Sequence, residues 1–94
     1  MPALTAKQVG VFMPSVPEWS KRGQVIHRTF EFDGFLAGIA FVKRIATKAE
    51  KLNHHPDIDI RYDKVTLKLT THDEGGLTDK DFTLAKQCDE VFSK

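Results

Sequence analysis

The chain has 94 residues, 40% hydrophobic and 29% charged, and 14 Lys and Arg against 13 Asp and Glu leave a formal net charge of +1. That is ordinary globular usage for a single domain over residues 1–94; it argues against disorder and supplies no basic field for direct nucleic-acid binding. The one cysteine, Cys88, excludes an internal disulfide and a zinc site built on paired thiolates, while the absence of a signal-like opening or a membrane-length apolar run gives the expectation of a cytoplasmic protein.

Thr5 is placed to cap a short helix over residues 6–12, which Pro14 and Pro17 would break. The stretch VPEWSKRGQVIHRTFEF reads as a hairpin turning at Gly23. Its second strand puts Ile26, Phe30 and Phe32 on one face and His27, Thr29 and Glu31 on the other, so it should be half buried. From Asp33, a good N-cap, to Asn53 the pattern is helical, with Phe35, Ile39, Val42, Ala46 and Ala49 three or four residues apart. Adding Phe41, Ile45 and Leu52 widens the apolar arc to roughly 160° at about 100° per residue, more than one core requires. Either the helix is deeply buried or it also packs on another subunit.

After Pro56 the period becomes two, with Ile58, Ile60 and Tyr62 opposed to Asp57, Asp59 and Arg61, and Asp63-Lys64 turning the chain. Val65, Leu67, Leu69 and Thr71 take the inward face of the next strand, leaving Thr66, Lys68, Thr70 and His72 on the polar side. Gly75 and Gly76 form a turn, and Thr78 with Asp81 makes a capping-box-like start to a last helix carrying Phe82, Ala85, Cys88, Val91 and Phe92. Strands and helices without parallel βαβ alternation indicate an α+β fold, an antiparallel sheet with helices packed on one face.

Three of the four histidines fall between residues 53 and 72. Glu50 and His54, four apart at the helix end, should share a face and meet. Pro56 disfavours helical geometry at His55, so the helix is expected to stop there and the two rings to diverge. With His72 at a nearby strand end, the three imidazoles, Glu50, Asp57 and Asp81 are expected around one pocket. An imidazole pair before proline could equally complement a helix dipole in solvent, a gain of about 0.3–1 kcal/mol. Imidazole and carboxylate donors also suit zinc or iron, but neither HExxH nor facial-triad spacing is present, and no metal is assigned. Cys88, on an apolar helix stripe, reads as core packing.

The segment FDGFLAGIAFVKRIATKAEKLNHHPD, then Tyr62, then VTLKLTTHDEGGLTDKD, with Glu50 four residues before His54 and 18 residues from His54 to His72, resembles the pterin-4a-carbinolamine dehydratases. The likeness runs from about Trp19 to Val91, departing at Ile58, where some members carry an aromatic residue, and at Lys80, where animal members have arginine. It implies a four-stranded antiparallel sheet backed by helices, with subunits pairing sheet edges into a homodimer and helix bundling able to join two dimers.

The implied reaction is a hydro-lyase step, loss of water from 4a-hydroxytetrahydropterin to give quinonoid dihydropterin in tetrahydrobiopterin recycling, without metal or other cofactor. By the same resemblance His54 and His72 form the acid/base pair and His55 holds the pterin. Glu50 and Asp81 support the imidazoles, while Pro56 and Asp57 shape the turn. The alternative is a non-catalytic dimeric scaffold, coactivator-like, gripping a partner helix through Phe41, Ile45 and Leu52.

Overall fold

The computed structural model describes residues 2–93. Helix α1 spans Ala6–Phe12, and its start is a full capping box: Gln8 N–H donates to Thr5 Oγ1 at 3.2 Å and Thr5 N–H to Gln8 Oε1 at 2.9 Å. A 3₁₀ turn, Met13–Ser15, follows where Pro14 prevents continuation, and brings Val16 and Trp19 into the core. Strands β1 (Ser20–Arg22) and β2 (Val25–Glu31) form the expected hairpin, with Gly23 at φ 60°, a left-handed value that glycine adopts without a Cβ penalty.

Strands β3 (Asp57–Arg61) and β4 (Lys64–Leu69) complete one antiparallel sheet in the order β1-β2-β4-β3. Register follows the apolar alternation: Ile26 lies opposite Leu69 and Phe30 opposite Val65, and all four are at most 1% exposed. The fold is therefore α+β, with α2 (Phe35–Leu52) and α3 (Asp79–Phe92) covering the same face as the buried side chains of β2 and β4. The opposite face is polar, and there Thr29 and Thr66 share a hydroxyl hydrogen bond of 2.8 Å across β2 and β4.

Three expectations about α2 are corrected. It is capped by Gly34 rather than Asp33, with no side-chain bond at the cap. Its buried stripe is Gly38, Phe41, Ile45 and Ala49, whereas Phe35 is 47% exposed and Ala46 is on the surface. Phe41 and Ile45, assigned to a partner-gripping face, are instead core: Phe41 packs on Phe30 at a centroid distance of 4.8 Å, and Ile45 is fully buried. The reason is helix rotation. At Gly38 a Cβ would lie 3.3 Å from Val65 Cγ2, so the helix meets β4 along the glycine side and turns Phe35 outward.

Ile58 and Ile60 lie opposite core-facing Leu67 and Val65, yet all five residues of β3 are exposed, because the helical layer does not reach over this edge strand. Tyr62 is not a strand residue; it sits in the β3–β4 turn at φ 53°.

Candidate functional site

The site begins where α2 stops. Asn53 takes the left-handed conformation, φ 50° and ψ 42°, and His54 N–H reaches back to the Ala49 carbonyl at 3.1 Å. This is a common helix C-terminus, and asparagine tolerates it better than most side chains. The helix therefore ends at Leu52 under Asn53, not at His55 under Pro56.

That reversal overturns the expected Glu50–His54 contact, because helical i,i+4 geometry no longer applies beyond Asn53. Glu50 Oε2 instead meets His55 Nε2 at 2.5 Å, an exposed pair with 76% and 56% of the side chains accessible. His54 turns inward, and its Nε2 lies 2.5 Å from Oδ1 of Asp81. The divergence of the two rings stands; their carboxylate partners are exchanged relative to the expectation from spacing.

Asp81 is the third residue of α3 and fully buried. As the acidic member of the capping box, its Oδ2 accepts from Thr78 N–H at 2.9 Å, and it also accepts from the Thr71 hydroxyl at 2.9 Å. These donors offset the desolvation of the carboxyl group. A carboxylate only accepts, so His54 Nε2 is the donor in their bond. In the neutral ring that leaves Nδ1 with a lone pair, and no described residue hydrogen-bonds to it.

His72 lies three residues past the end of β4, opening a 3₁₀ turn, His72–Glu74, rather than ending the strand. Gly75, at φ 74°, closes that turn by donating its N–H to the His72 carbonyl at 3.0 Å. His54, His55 and His72 line one open cavity of about 250 Å³, together with Asn53, Thr70, Thr71 and Asp73. The three carboxylates expected around the pocket, and Pro56, expected to shape the turn, do not line it. Glu50 and Asp81 stand behind His55 and His54, Pro56 is half-buried outside it, and Asp57 begins β3, exposed, in register with Lys68. The chain reversal at Asn53 is what carries Asp57 away.

Thr70 was legible from strand alternation, which sets it on the polar side with His72. Asn53 carried the signal of an asparagine just before a helix break. Asp73 is brought in only by the 3₁₀ turn, which nothing in the local pattern announces. A second groove of about 440 Å³, lined by Arg44, Thr47, Lys48, Lys51 and Val91, contains no acid–base pair.

Chemically, the cavity presents one imidazole backed by a buried carboxylate, one backed by an exposed carboxylate and one, His72, with no side-chain partner among the described residues. Such a set can exchange protons at two positions of a small polar ligand near neutral pH. Among the described residues no three His, Cys, Asp or Glu side chains are grouped to hold one metal ion.

The family model described as pterin 4 alpha carbinolamine dehydratase matches residues 2–91. A Chloroflexus aurantiacus relative is 50% identical over 92 residues, spanning 98% of this chain and 99% of its own length. One from Acidobacterium capsulatum is 51% identical over 92 residues, spanning 98% of this chain and 100% of its own; both carry the pterin-4-alpha-carbinolamine dehydratase name provisionally. The crystal structure of a transcriptional coactivator/pterin dehydratase from Brucella melitensis matches with a TM-score of 0.91 at 30% identity, covering 96% of this chain and 98% of that one. A pterin dehydratase-like protein described as a RuBisCO assembly factor in the alpha-carboxysome has a TM-score of 0.69 at 20% identity, over 82% and 92% of the two chains, a likeness of fold alone.

Proposed function

The chain belongs to the pterin-4a-carbinolamine dehydratase family, and from that premise we propose that it dehydrates 4a-hydroxytetrahydropterin to quinonoid dihydropterin, serving tetrahydrobiopterin recycling in the cytoplasm. The observation that carries this reading is the buried His54–Asp81 pair, 2.5 Å apart, at the wall of a cavity that also presents His55 and His72.

The reaction breaks the C4a–oxygen bond and the N5–H bond. One group protonates the departing hydroxyl so that it leaves as water, the N5 lone pair forms the C4a=N5 double bond, and a second group removes the N5 proton. Imidazoles titrate close to neutrality and can fill both roles, each contributing about 10²–10⁴-fold. His54 exchanges its proton at Nδ1, with Asp81 stabilising the imidazolium through Nε2. His72, which lines the same cavity, is its acid/base counterpart. His55 binds the pterin by hydrogen bonding, held by Glu50, while Pro56 and Asp57 set the course of the chain into β3. Every bond made or broken is balanced by proton transfer, so this scheme needs no metal or redox cofactor.

The test is stopped-flow measurement of carbinolamine dehydration with purified protein; a rate no faster than buffer alone would sink the proposal. Exhaustive chelation should leave the rate unchanged, and a loss reversed by added zinc or iron would contradict the metal-free scheme. We propose a homodimer or dimer of dimers as the working form.

A further inference from the structure

Asp81 does two jobs at once, closing the capping box of α3 and facing His54. The bonds of the box lie within the helix start: Asp81 Oδ2 accepts from Thr78 N–H at 2.9 Å, and Asp81 N–H donates to the Thr78 carbonyl at 3.2 Å. A further bond, which the cap does not require, comes from Thr71 Oγ1 to the same Oδ2 at 2.9 Å. Thr71 Oγ1 also lies 2.8 Å from Thr78 Oγ1.

Proton counting fixes the direction of this cluster. A hydroxyl has one proton. Thr71 gives its proton to the carboxylate, so the Thr71–Thr78 bond must be donated by Thr78. The result is a one-way chain: Thr78 hydroxyl to Thr71 Oγ1, then Thr71 hydroxyl to Asp81 Oδ2. Thr78 is 2% exposed and Asp81 fully buried, so water competes little with these bonds.

Thr71 is itself clamped. Its N–H donates to the Gly76 carbonyl at 3.1 Å, and its own carbonyl accepts from Gly76 N–H at 3.3 Å and Glu74 N–H at 3.1 Å. The hydroxyl thus hangs from a fixed backbone and, with Thr78 N–H, occupies Oδ2 from two directions. Only Oδ1 remains for His54.

We infer that Thr71 is a positioning residue for His54: by holding the far oxygen of Asp81, its hydroxyl sets the carboxylate so that Oδ1 takes the Nε2 proton and Nδ1 is the exchanging atom. This rests on the proposed dehydratase reading only for its kinetic consequence. The orientation and tautomer of His54 are properties of the unliganded protein.

The experiment compares Thr71→Val, which deletes the hydroxyl at nearly constant shape, with Thr71→Ser, which restores it. In the wild-type protein, nitrogen-15 NMR of the neutral His54 ring should report the Nε2–H tautomer alone. Thr71→Val should give a mixture of both tautomers and lower kcat for carbinolamine dehydration about tenfold, the scale of one lost hydrogen bond to a charged group, with KM changed by less than about twofold. Thr71→Ser should recover both the single tautomer and kcat. Should Thr71→Val fail to fold by circular dichroism, the smaller Thr71→Ala carries the same expectations.

A hydroxyl-free variant that keeps the single tautomer and wild-type kcat would leave Thr71 as mere packing and overturn the inference. So would failure of serine to restore the wild-type tautomer. If the wild-type protein has no dehydratase activity, the functional reading falls, yet the tautomer comparison still decides the role of Thr71.

Discussion

His54 and His55 are neighbours in the chain and opposites in circumstance. The His54 side chain is 10% exposed against a fully buried carboxylate, whereas the His55 pair with Glu50 is open to water. Exposed ion pairs contribute little, because solvent screens them and holding two side chains together costs entropy. Asp81→Asn should therefore lower kcat by about 10²-fold, comparable to His54→Ala, as expected when the support of a proton-transfer group is removed. Glu50→Gln should leave kcat nearly unchanged and raise KM by no more than about fivefold, in the same direction as His55→Ala. Steady-state kinetics of the four variants decides the division, and a larger kcat loss for Glu50→Gln than for Asp81→Asn would reverse the assignment. Cys88 illustrates the effect of burial on a titratable group in the core: desolvation, aided by the charge of Asp89, pushes its thiol from 9.0 up to about 12. A group raised on folding contributes stability that is complete below the unfolded value and lost as pH rises through the folded one. Stability measured by urea denaturation should accordingly decline from about pH 9 toward 12 in the wild type and less steeply in Cys88→Ala. Equal slopes would contradict this account.

At the scale of elements, the decisive contact is the approach of α2 to β4 at Gly38. A Cβ there would lie 3.3 Å from Val65 Cγ2 and 3.5 Å from Phe32 Cδ2, which leaves no room for a branched side chain. Gly38→Leu should destabilise the fold by about 1–3 kcal/mol through overpacking, checked by denaturant unfolding; an unchanged midpoint would mean that the helix can shift freely. The other end of the layer is tied by polar bonds. Asp89 on α3 accepts from Arg28 at 2.7 Å and from Trp19 Nε1 at 2.9 Å, and the Arg28 guanidinium lies 4.4 Å from the Phe30 ring centroid. Arg28 is thus a charged residue on the core face of β2, which simple alternation would not select. Its cost is offset by a carboxylate and an aromatic face.

Across the whole molecule the helical layer leaves one side bare. Phe35 and Leu36 are 47% and 78% exposed, and Ile58 and Ile60 on edge strand β3 are 39% and 37% exposed. An edge strand with uncovered apolar side chains tends to pair with another chain. Sedimentation at micromolar concentration should find a dimer or larger, and Ile60→Lys should shift it toward monomer. A monomeric wild type would refute the oligomer. The residues carrying this expectation differ from those first read on the helix, since Phe41 and Ile45 are core and the surface belongs to Phe35 and Leu36.

Local patterns determined what depends on short-range geometry. The Thr5 and Thr78 caps, the Gly23 turn, the alternation that buries Val65, Leu67 and Leu69, and the divergence of His54 from His55 all follow from residues within a few positions of one another. Tertiary structure decided what depends on which elements meet. Spacing alone favoured Glu50 for His54, but the left-handed turn at Asn53 sends His54 into the protein, where it meets Asp81, 27 residues away in sequence. Helix periodicity likewise defined an apolar arc without saying which part of it faces the sheet, and Gly38 resolved that by permitting close approach to Val65. The histidines were visible as a cluster in the sequence; their carboxylate partners were settled by chain reversal and packing, which bring together groups that no local period relates.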